Sequence, residues 1–164
     1  MSVAFTKEGD SEAAAADLPD RPVSAHPNYV TATGLAALDA ALAAARASYS
    51  AAQAAGDISA DRTAMARASR ELRYYTARRA SARLVVDDGD GTQARFGNRV
   101  TFEHADGREQ CFRIVGEDEA DPTAGLISYV SPLARALLGK SAGDTVRWHG
   151  SEVEISGIAS VGEG

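Results

Sequence analysis

The 164-residue sequence predicts an α+β protein, in which an N-terminal antiparallel α-helical coiled-coil hairpin precedes a small antiparallel β-sheet domain with one short helix. Three observations support this prediction. Alanine, the strongest helix former, occupies 20 positions between residues 32 and 82. Apolar residues in the same stretch recur at heptad spacing. Beyond residue 91, apolar and polar residues alternate instead, which is typical of half-buried strands.

The first predicted helix follows residues 1–28, which contain Ala, Asp, Glu and Pro without periodicity and which we expect to form a disordered acidic tail. Two apolar series then repeat every seven residues: Leu35, Leu42 and Tyr49, and Leu38, Ala45 and Ala52. Thr31 or Thr33 can cap the start of this helix, and Gly56 can close it after Ala55.

A second heptad pattern predicts a partner helix. Its two series are Ile58, Met65, Leu72 and Arg79, and Ala68, Tyr75 and Ala82. Since only the short turn 56–60 separates the two helices, they must pack antiparallel, and we assign the hairpin to residues 29–86. Residues 87–94 contain a run of Asp and Gly that breaks the helix, and we expect them to be a linker.

The C-terminal domain is predicted over residues 95–160. Alternating residues predict strands over 99–104, 111–115, 126–130, 145–149 and 153–158, with a hairpin turn at Asp106-Gly107. Ser131-Pro132 is a helix start with proline at the first position, followed by one or two helical turns. We expect Cys111, Phe112 and Trp148 to be core residues of this domain.

Composition excludes several kinds of site. The single cysteine excludes an internal disulfide framework and a cysteine-rich zinc site, and none of the three histidines is spaced to share a metal with another. No apolar run approaches the roughly 18 residues that a membrane span needs, and the N-terminus lacks a signal-peptide pattern. We therefore expect a cytoplasmic protein with no membrane partner.

Charge is unevenly distributed along the chain. The net charge of the whole sequence is -6, but residues 57–86 hold seven arginines against three acidic residues. Residues 87–164 carry 14 acidic groups against seven basic ones. One arginine-rich helix could therefore contact nucleic acid, although the charge of the whole chain argues against binding to duplex DNA.

Four segments carry a family resemblance. They are FRIVGEDEAD at residues 112–121, SPLARALLGK at 131–140, YVTATG at 29–34 and RYYT at 73–76. Together they resemble the Gre family of bacterial transcript-cleavage factors, GreA and GreB, over about residues 29–160. The segment at 29–34 is similar to the opening helix of the family, and the segment at 73–76 is closer to GreB.

The resemblance implies a coiled coil followed by an FKBP-like domain without prolyl isomerase activity, which binds RNA polymerase at the rim of its secondary channel. It further implies that the coiled coil enters the channel, where carboxylates at its tip help to hold a second Mg²⁺ and a water that cleave backtracked RNA. The expected partners are therefore bacterial RNA polymerase and the RNA 3′ end. We expect a monomer with no cofactor of its own, apart from Mg²⁺ shared with the polymerase.

The resemblance also implies roles for two sets of side chains. The expected polymerase-binding residues are Asp118, Glu119, Asp121, Ser131, Pro132 and Arg135. The three carboxylates of this set could alternatively be interpreted as a metal cluster. The expected basic strip facing the channel or the nucleic acid consists of Arg62, Arg67, Arg70 and Arg73. These arginines could alternatively be the solvated face of an alanine-rich helix.

The tip departs from the family pattern. The family has G-D-x-x-E-N, whereas residues 56–61 of this chain are GDISAD. Asp57 matches the first acidic position, Ala60 replaces the glutamate, and Asp61 lies one residue later, about 100° further around a helix. Asp57 and Ser59 could simply cap the second helix. Alternatively, Asp57 and Asp61 are catalytic carboxylates that hold the metal together.

The arms of the hairpin are also short. Each lacks about one heptad relative to the family pattern, which withdraws the tip by roughly 10 Å at about 1.5 Å per residue. The sequence therefore favours a Gre-type regulator that binds polymerase at the secondary channel without efficient transcript cleavage. Two alternatives are a true cleavage factor that uses Asp57 and Asp61, and an FKBP-like binding module for a partner other than polymerase.

Overall fold

Two long helices and a five-stranded sheet contain most of the secondary structure. The computed structural model describes residues 18–55 and 59–162, with only the backbone at 59–61. In chain order the elements are β1 (Tyr29–Val30), α1 (Ala32–Ala55), α2 (Ser59–Ser81), β2 (Arg83–Leu84), β3 (Arg99–His104), β4 (Glu109–Val115), β5 (Leu126–Ser128), α3 (Pro132–Leu137), β6 (Thr145–Trp148) and β7 (Ser151–Ala159). The predicted α+β class is confirmed.

The chain divides into two compact units. Among the described residues, the helical unit contains 18–25 together with 38–55 and 59–81, and the sheet unit contains 26–37 and 82–162. The first turns of α1 therefore belong to the same unit as the sheet.

The seam of the helical unit follows the predicted heptads. Leu38, Leu42 and Ala45 of α1 and Ala68 of α2 are buried, with exposed fractions of 2 to 8%. Arg79, predicted at the end of the seam, is half-buried and donates to Asp39 of α1. Each element thus contributes a narrow apolar stripe, as a two-helix seam requires.

A groove of 710 Å³ lies between α1 and α2. Its walls are mostly alanine, with Arg67, Glu71 and Tyr75 among the few larger residues. An alanine side chain ends at its Cβ, so two alanine-rich faces cannot interdigitate as deeply as leucine-rich ones. The groove is therefore a direct consequence of the composition of the hairpin.

Residues 18–25, which we call the N-terminal strap, lie along α2. The sequence predicted that they belong to a disordered tail, but in the structure Arg21 pairs with Glu71 at 2.7 Å and Asp20 pairs with Arg73 at 2.6 Å. Arg21 also lies over the ring of Tyr74, 3.7 Å from its centroid. The paired side chains are 50 and 53 residues apart in sequence, so local sequence patterns could not predict these contacts.

The segment Tyr29–Val30 forms a strand rather than the first turn of a helix. Strand β1 pairs in parallel with β2, so the expectation that this segment opens the helix is wrong. The N–H groups of Arg83 and Val85 donate to the carbonyls of Asn28 and Val30, at 2.8 and 3.0 Å. Residue 116 is glycine because any side chain there would overlap the carbonyl of Tyr29.

The five-stranded sheet has the order β5-β4-β3-β7-β6. Three of the four pairings are antiparallel, but β4 and β5 are parallel, so the prediction of a wholly antiparallel sheet is wrong. The chain passes through the 3₁₀ turn Pro122–Ala124 between β4 and β5 and re-enters the sheet in the same direction as β4. Strand β5 also ends at Ser128, earlier than predicted.

The core of the sheet unit lies between the sheet and α3. Its buried members include Val100, Phe102, Ile114, Leu137 and Ile155. Phe112 and Trp148 pack against this core, as the sequence predicts.

Cys111 is exposed, so its assignment to the core is wrong. Neighbouring residues of a strand point to opposite faces of the sheet, so Cys111 and Phe112 could not both point inward. The Cys111 sulfur instead accepts a hydrogen bond from the Thr101 hydroxyl at 3.4 Å.

Asp87 and Asn98 tie the segment after β2 to the start of β3. Asn98 is buried; its amide nitrogen donates to Asp87, and its oxygen accepts from the Arg95 N–H at 2.8 Å. Partial burial acts to raise the pKa of Asp87. Hydrogen bonds from Ser160, the Gly89 N–H and Asn98 outweigh that effect, so the net pKa lies below the usual value.

Replacing Asp87 with Asn should destabilise the sheet unit in a pH-dependent way. The two Asp87 oxygens accept from the Gly89 N–H and from the Asn98 amide, and an asparagine has only one oxygen for these two donors. Asp87→Asn should therefore lower the free energy of unfolding by about 1 kcal/mol at neutral pH. Because the pKa is lowered in the folded state, the stabilisation is complete above the unfolded value near 3.8 and is lost as pH falls through the lower folded value.

Urea unfolding of both proteins at neutral pH and at about pH 3 measures this effect. The difference between wild type and Asp87→Asn should shrink in acid. Asp88→Asn is the matched control, because Asp88 carries the same charge on a side chain that is 94% exposed. A difference that is constant with pH, or equal for the two variants, would contradict the expected role of Asp87.

Candidate functional site

The acidic loop after β4 contains three carboxylates that the sequence assigns to polymerase binding. Asp118 is exposed, Glu119 is half-buried and Asp121 is exposed. No group of three His, Cys, Asp or Glu side chains within residues 18–55 and 59–162 could hold a metal ion. The structure therefore does not support the interpretation of these carboxylates as a metal cluster.

Glu119 contacts the N-terminus of α1. Its Oε2 accepts a hydrogen bond from the Thr31 hydroxyl at 2.7 Å, and the Thr31 oxygen accepts from the Gly34 N–H at 3.0 Å. A Cβ atom at residue 34 would lie 2.6 Å from the same carboxylate oxygen, so glycine allows the close approach. Of the two predicted caps, Thr31 is therefore the one used, and Glu119 adds negative charge where the helix dipole favours it.

Asp121 shapes the turn between β4 and β5. Its Oδ1 accepts hydrogen bonds from the Thr123 N–H at 3.2 Å and the Thr123 hydroxyl at 2.6 Å. Its N–H donates to the Leu126 carbonyl at 2.9 Å, and its carbonyl accepts from the Leu126 N–H at 3.0 Å. These bonds close the loop, so Asp121 has a clear structural role.

The start of α3 has the predicted cap. The Ser131 side chain accepts from the Ala134 N–H at 3.3 Å, and Pro132 occupies the first turn, where its missing N–H is not needed. Pro132 and Arg135 are exposed. Because the cap uses the Ser131 hydroxyl, the exposed groups of this segment are the proline ring and the guanidinium.

An apolar pocket of 440 Å³ adjoins the start of α3. Ser131 and Pro132 line it, together with Phe112, Pro122, Ile127, Leu133, Arg147, Trp148 and His149. His149 has a positive φ of 49°, the only such value among non-glycine residues in the described chain. The sequence placed Trp148 in the core and did not single out Arg147 or His149. Both residues fall inside the predicted strand 145–149, and the available signal was the glycine that follows His149 and marks a turn.

The predicted catalytic carboxylates at the tip lie at or beyond the edge of the described residues. Asp57 falls outside them. The backbone of Asp61 is part of α2, and its side chain is not described. The assignment of these two residues stays a prediction from the sequence.

The arginines of the predicted basic strip differ in their surroundings. Arg62 and Arg67 are exposed, and Arg67 borders the groove between the helices. The Nε of Arg70 is buried without a hydrogen-bond partner among the described residues. Arg73 is paired with Asp20, so the strip is interrupted at that end. Arg78, another arginine of the same helix, is only 2% exposed, so it belongs neither to a solvated face nor to an exposed strip.

The guanidinium carbon of Arg21 in the strap lies 3.7 Å from the centroid of the Tyr74 ring and 5.4 Å from that of Tyr75. Partial burial acts to lower the pKa of Arg21, but hydrogen bonds with Tyr75 and Glu71 and the charge of Glu71 outweigh that effect and raise it. The strap therefore places one carboxylate and one permanent cation side by side on α2. The sequence signal for it was the Asp20-Arg21 pair between Pro19 and Pro22, which precedes an arginine-rich helix.

Residues 89–159, which contain the acidic loop, α3 and the pocket, match the family model for the C-terminal part of the transcription elongation factors GreA and GreB. This domain belongs to the GreA/GreB family. Transcription elongation factor GreA of Anaeromyxobacter sp. (strain K) is 47% identical over 90 residues, 51% of this chain and 54% of the relative. GreA of Bacillus licheniformis is 46% identical over 79 residues, 46% of this chain and 50% of the relative.

The matches to GreA relatives are partial. The first eight relatives are matched over 35 to 56% of their own length, so the chain spans about half of most of them. Among solved structures, GreA factor homolog 1 of Thermus thermophilus is similar with a TM-score of 0.39 and 21% identity, over 82% of this chain and all of that one. None of the helices in the described residues is long and apolar enough to cross a membrane.

Replacing Glu119 should destabilise the fold more than replacing Asp118 does. Glu119→Ala removes the acceptor of the Thr31 hydroxyl and should lower the free energy of unfolding by about 1 kcal/mol. Asp118→Ala changes an exposed side chain, and its effect should be smaller. Glu119→Gln keeps an acceptor oxygen and should recover part of the loss. Equal effects of the two alanine variants in urea unfolding would contradict this assignment.

Proposed function

We propose that the protein is a GreA/GreB-type transcription elongation regulator that binds bacterial RNA polymerase at its secondary channel without efficient transcript cleavage. The match of residues 89–159 to the C-terminal GreA/GreB model carries this proposal. GreA relatives of 38 to 54% identity over their matched segments add support.

The polymerase-binding surface consists of three of the exposed predicted residues of the C-terminal domain. Asp118, Pro132 and Arg135 offer a carboxylate, an apolar ring and a guanidinium to a partner. Glu119, Asp121 and Ser131 hold the loop and the start of α3 in place, through the Thr31 hydroxyl, the Thr123 turn and the Ala134 N–H, respectively. The second group would affect binding through the shape of the surface.

The length of the hairpin supports regulation without efficient cleavage. With 24 and 23 residues, α1 and α2 are each about 35 Å long at about 1.5 Å per residue. The sequence comparison with the family predicts a tip withdrawn by about one heptad, and catalysis by positioned groups falls steeply with misplacement of about 1 Å. The replacement of the tip glutamate by Ala60 points in the same direction.

A true cleavage factor is the alternative for the same binding site. Asp57 and Asp61 would then complete the coordination of a second Mg²⁺ at the polymerase active site. A divalent metal held in this way would activate the attacking water and stabilise the leaving oxygen.

Charge reversal at the proposed surface should weaken polymerase binding. Asp118→Lys and Arg135→Glu should each reduce the affinity of the full-length protein for core RNA polymerase by roughly tenfold, since each replaces an attractive contact with a repulsive one. Glu103→Lys and Arg108→Glu make the same charge changes at other exposed residues of this domain and should bind as wild type does.

Affinity capture of core polymerase by the tagged protein, followed by titration, measures these effects. Equal losses for surface and control variants would contradict the assignment of the surface. Capture of another protein with no polymerase subunit would instead favour an FKBP-like module for a different partner.

Transcript cleavage should be close to the intrinsic rate of the polymerase. In backtracked complexes of purified polymerase, saturating wild-type protein should shorten the RNA no faster than polymerase alone. The double variant Asp57→Ala/Asp61→Ala should bind and behave as wild type does. Rapid shortening of the RNA that is lost in the double variant would establish the alternative, because only the tip carboxylates differ between the two proteins.

A further inference from the structure

The N-terminal strap covers a pair of side chains on α2 with complementary chemistry. The Nε and Nη2 of Arg73 both donate to Asp20 Oδ1, at 2.7 and 2.6 Å, and its Nη1 donates to Ser69 Oγ at 2.7 Å. At the neighbouring residue Tyr74, the Arg21 guanidinium carbon lies 3.7 Å from the ring centroid. The Asp20 carboxylate therefore pairs with the Arg73 guanidinium, and the planar cation of Arg21 covers the Tyr74 ring.

These two positions match what a nucleotide of a single strand requires. Arginine binds phosphate oxygens with the same donors that it uses for a carboxylate. An exposed tyrosine face stacks an unpaired base, and base–aromatic stacking together with backbone charge is the usual basis of single-strand binding. Asp20 thus stands where a phosphate would bind, and Arg21 lies where a base would stack.

The family resemblance already places Arg73 in a strip that faces nucleic acid. We infer that the strap is an internal competitor, which keeps Arg73 and the adjacent Tyr74 ring covered against single-stranded nucleic acid. The inference goes beyond the proposed function, since it concerns regulation by the strap and its test requires no polymerase. An acidic protein partner would use Arg73 but not the tyrosine face, so the observations favour nucleic acid.

The strap is held by contacts that a polyanion can displace. The side chains of Asp20 and Arg73 are 67% and 52% exposed, and ion pairs at such exposure are weak and screened by salt. The apparent affinity of a ligand for the covered surface equals its intrinsic affinity multiplied by the fraction of molecules in which the strap is released. Weakening the strap should therefore tighten ligand binding without any new contact.

The sharpest test is a variant that removes a positive charge. If charge alone governs binding, Arg21→Gln should weaken the binding of RNA. If the strap competes, Arg21→Gln should tighten it by roughly fivefold, because the covered state loses its anchor on Tyr74. Arg79→Gln, which removes an ion-paired arginine elsewhere on α2, is the matched control and should leave binding unchanged or weaker.

Fluorescence anisotropy of a short labelled single-stranded RNA, titrated with the full-length protein at low salt, measures these affinities. Asp20→Asn should also tighten binding, and more than Asp39→Asn, which removes the same charge from the Arg79 pair. The gain of Arg21→Gln should disappear in Arg21→Gln/Arg73→Gln. Weaker or unchanged binding by Arg21→Gln, or equal gains for Asp20→Asn and Asp39→Asn, would overturn the inference.

Two further arms test the identity of the ligand. Single-stranded RNA or DNA should bind more tightly than a duplex of the same sequence, because a paired base cannot stack on Tyr74. A polyglutamate peptide should compete less well than unlabelled RNA at equal charge. Equal binding of the duplex, or stronger competition by the peptide, would overturn the assignment to single-stranded nucleic acid.

Hydrogen exchange of the strap provides a readout that does not depend on affinity. Added single-stranded RNA should accelerate exchange at the amides of residues 20, 21 and 23–25, since the ligand replaces the strap on α2. Slower exchange at these amides would mean that RNA binds over the strap, and it would overturn the competitive arrangement. The wild-type protein suffices for this measurement, so it does not depend on the folding of any variant.

Discussion

The hydroxyl of Thr31 is the interaction on which the start of the fold depends. Thr31 is 1% exposed; its oxygen accepts a hydrogen bond from the Gly34 N–H, and its hydroxyl donates one to Glu119 Oε2. A buried hydroxyl needs such partners, since leaving them unmade costs about 1–3 kcal/mol. One side chain thereby ends β1, begins α1 and fixes the acidic loop. The glycine at position 34 is part of the same device, because it leaves room for the carboxylate.

The acidic residues of the loop have different roles, some in stabilising the fold and one in recognising a partner. Glu119 is engaged with α1 and Asp121 with its own turn, whereas Asp118 is an exposed carboxylate that we assign to contact with a partner. The loop can therefore present a partner with a fixed shape, because two of its acidic residues hold the backbone that carries the third. A loop in which none of the three carboxylates held the backbone would lose more conformational entropy on binding.

Local patterns made most of the fold predictable, and long-range pairings account for what was missed. The heptads of α1 and α2, the alternation in β3 and the Ser131-Pro132 cap are each encoded within a few residues. Strand β1 instead exists because β2, more than 50 residues away, pairs with it, and the parallel direction of β5 depends on the turn before it. The strap was missed for the same reason, since Asp20 and Arg21 acquire meaning only beside α2.

The alanine content of the hairpin links these features. Alanine favours the helical state, but it buries little apolar area, so two alanine-rich helices join through a thin seam and leave a groove. Charged contacts such as Arg79–Asp39 and Arg21–Glu71 then supply part of the cohesion that a leucine-rich seam would provide. Exposed ion pairs contribute less than about 1 kcal/mol each, so what they hold can be released by a competing anion. Two arginines of α2, Arg73 and Arg79, are in this way paired with carboxylates of the same chain, and these weak pairs are the ones that a competing anion would break.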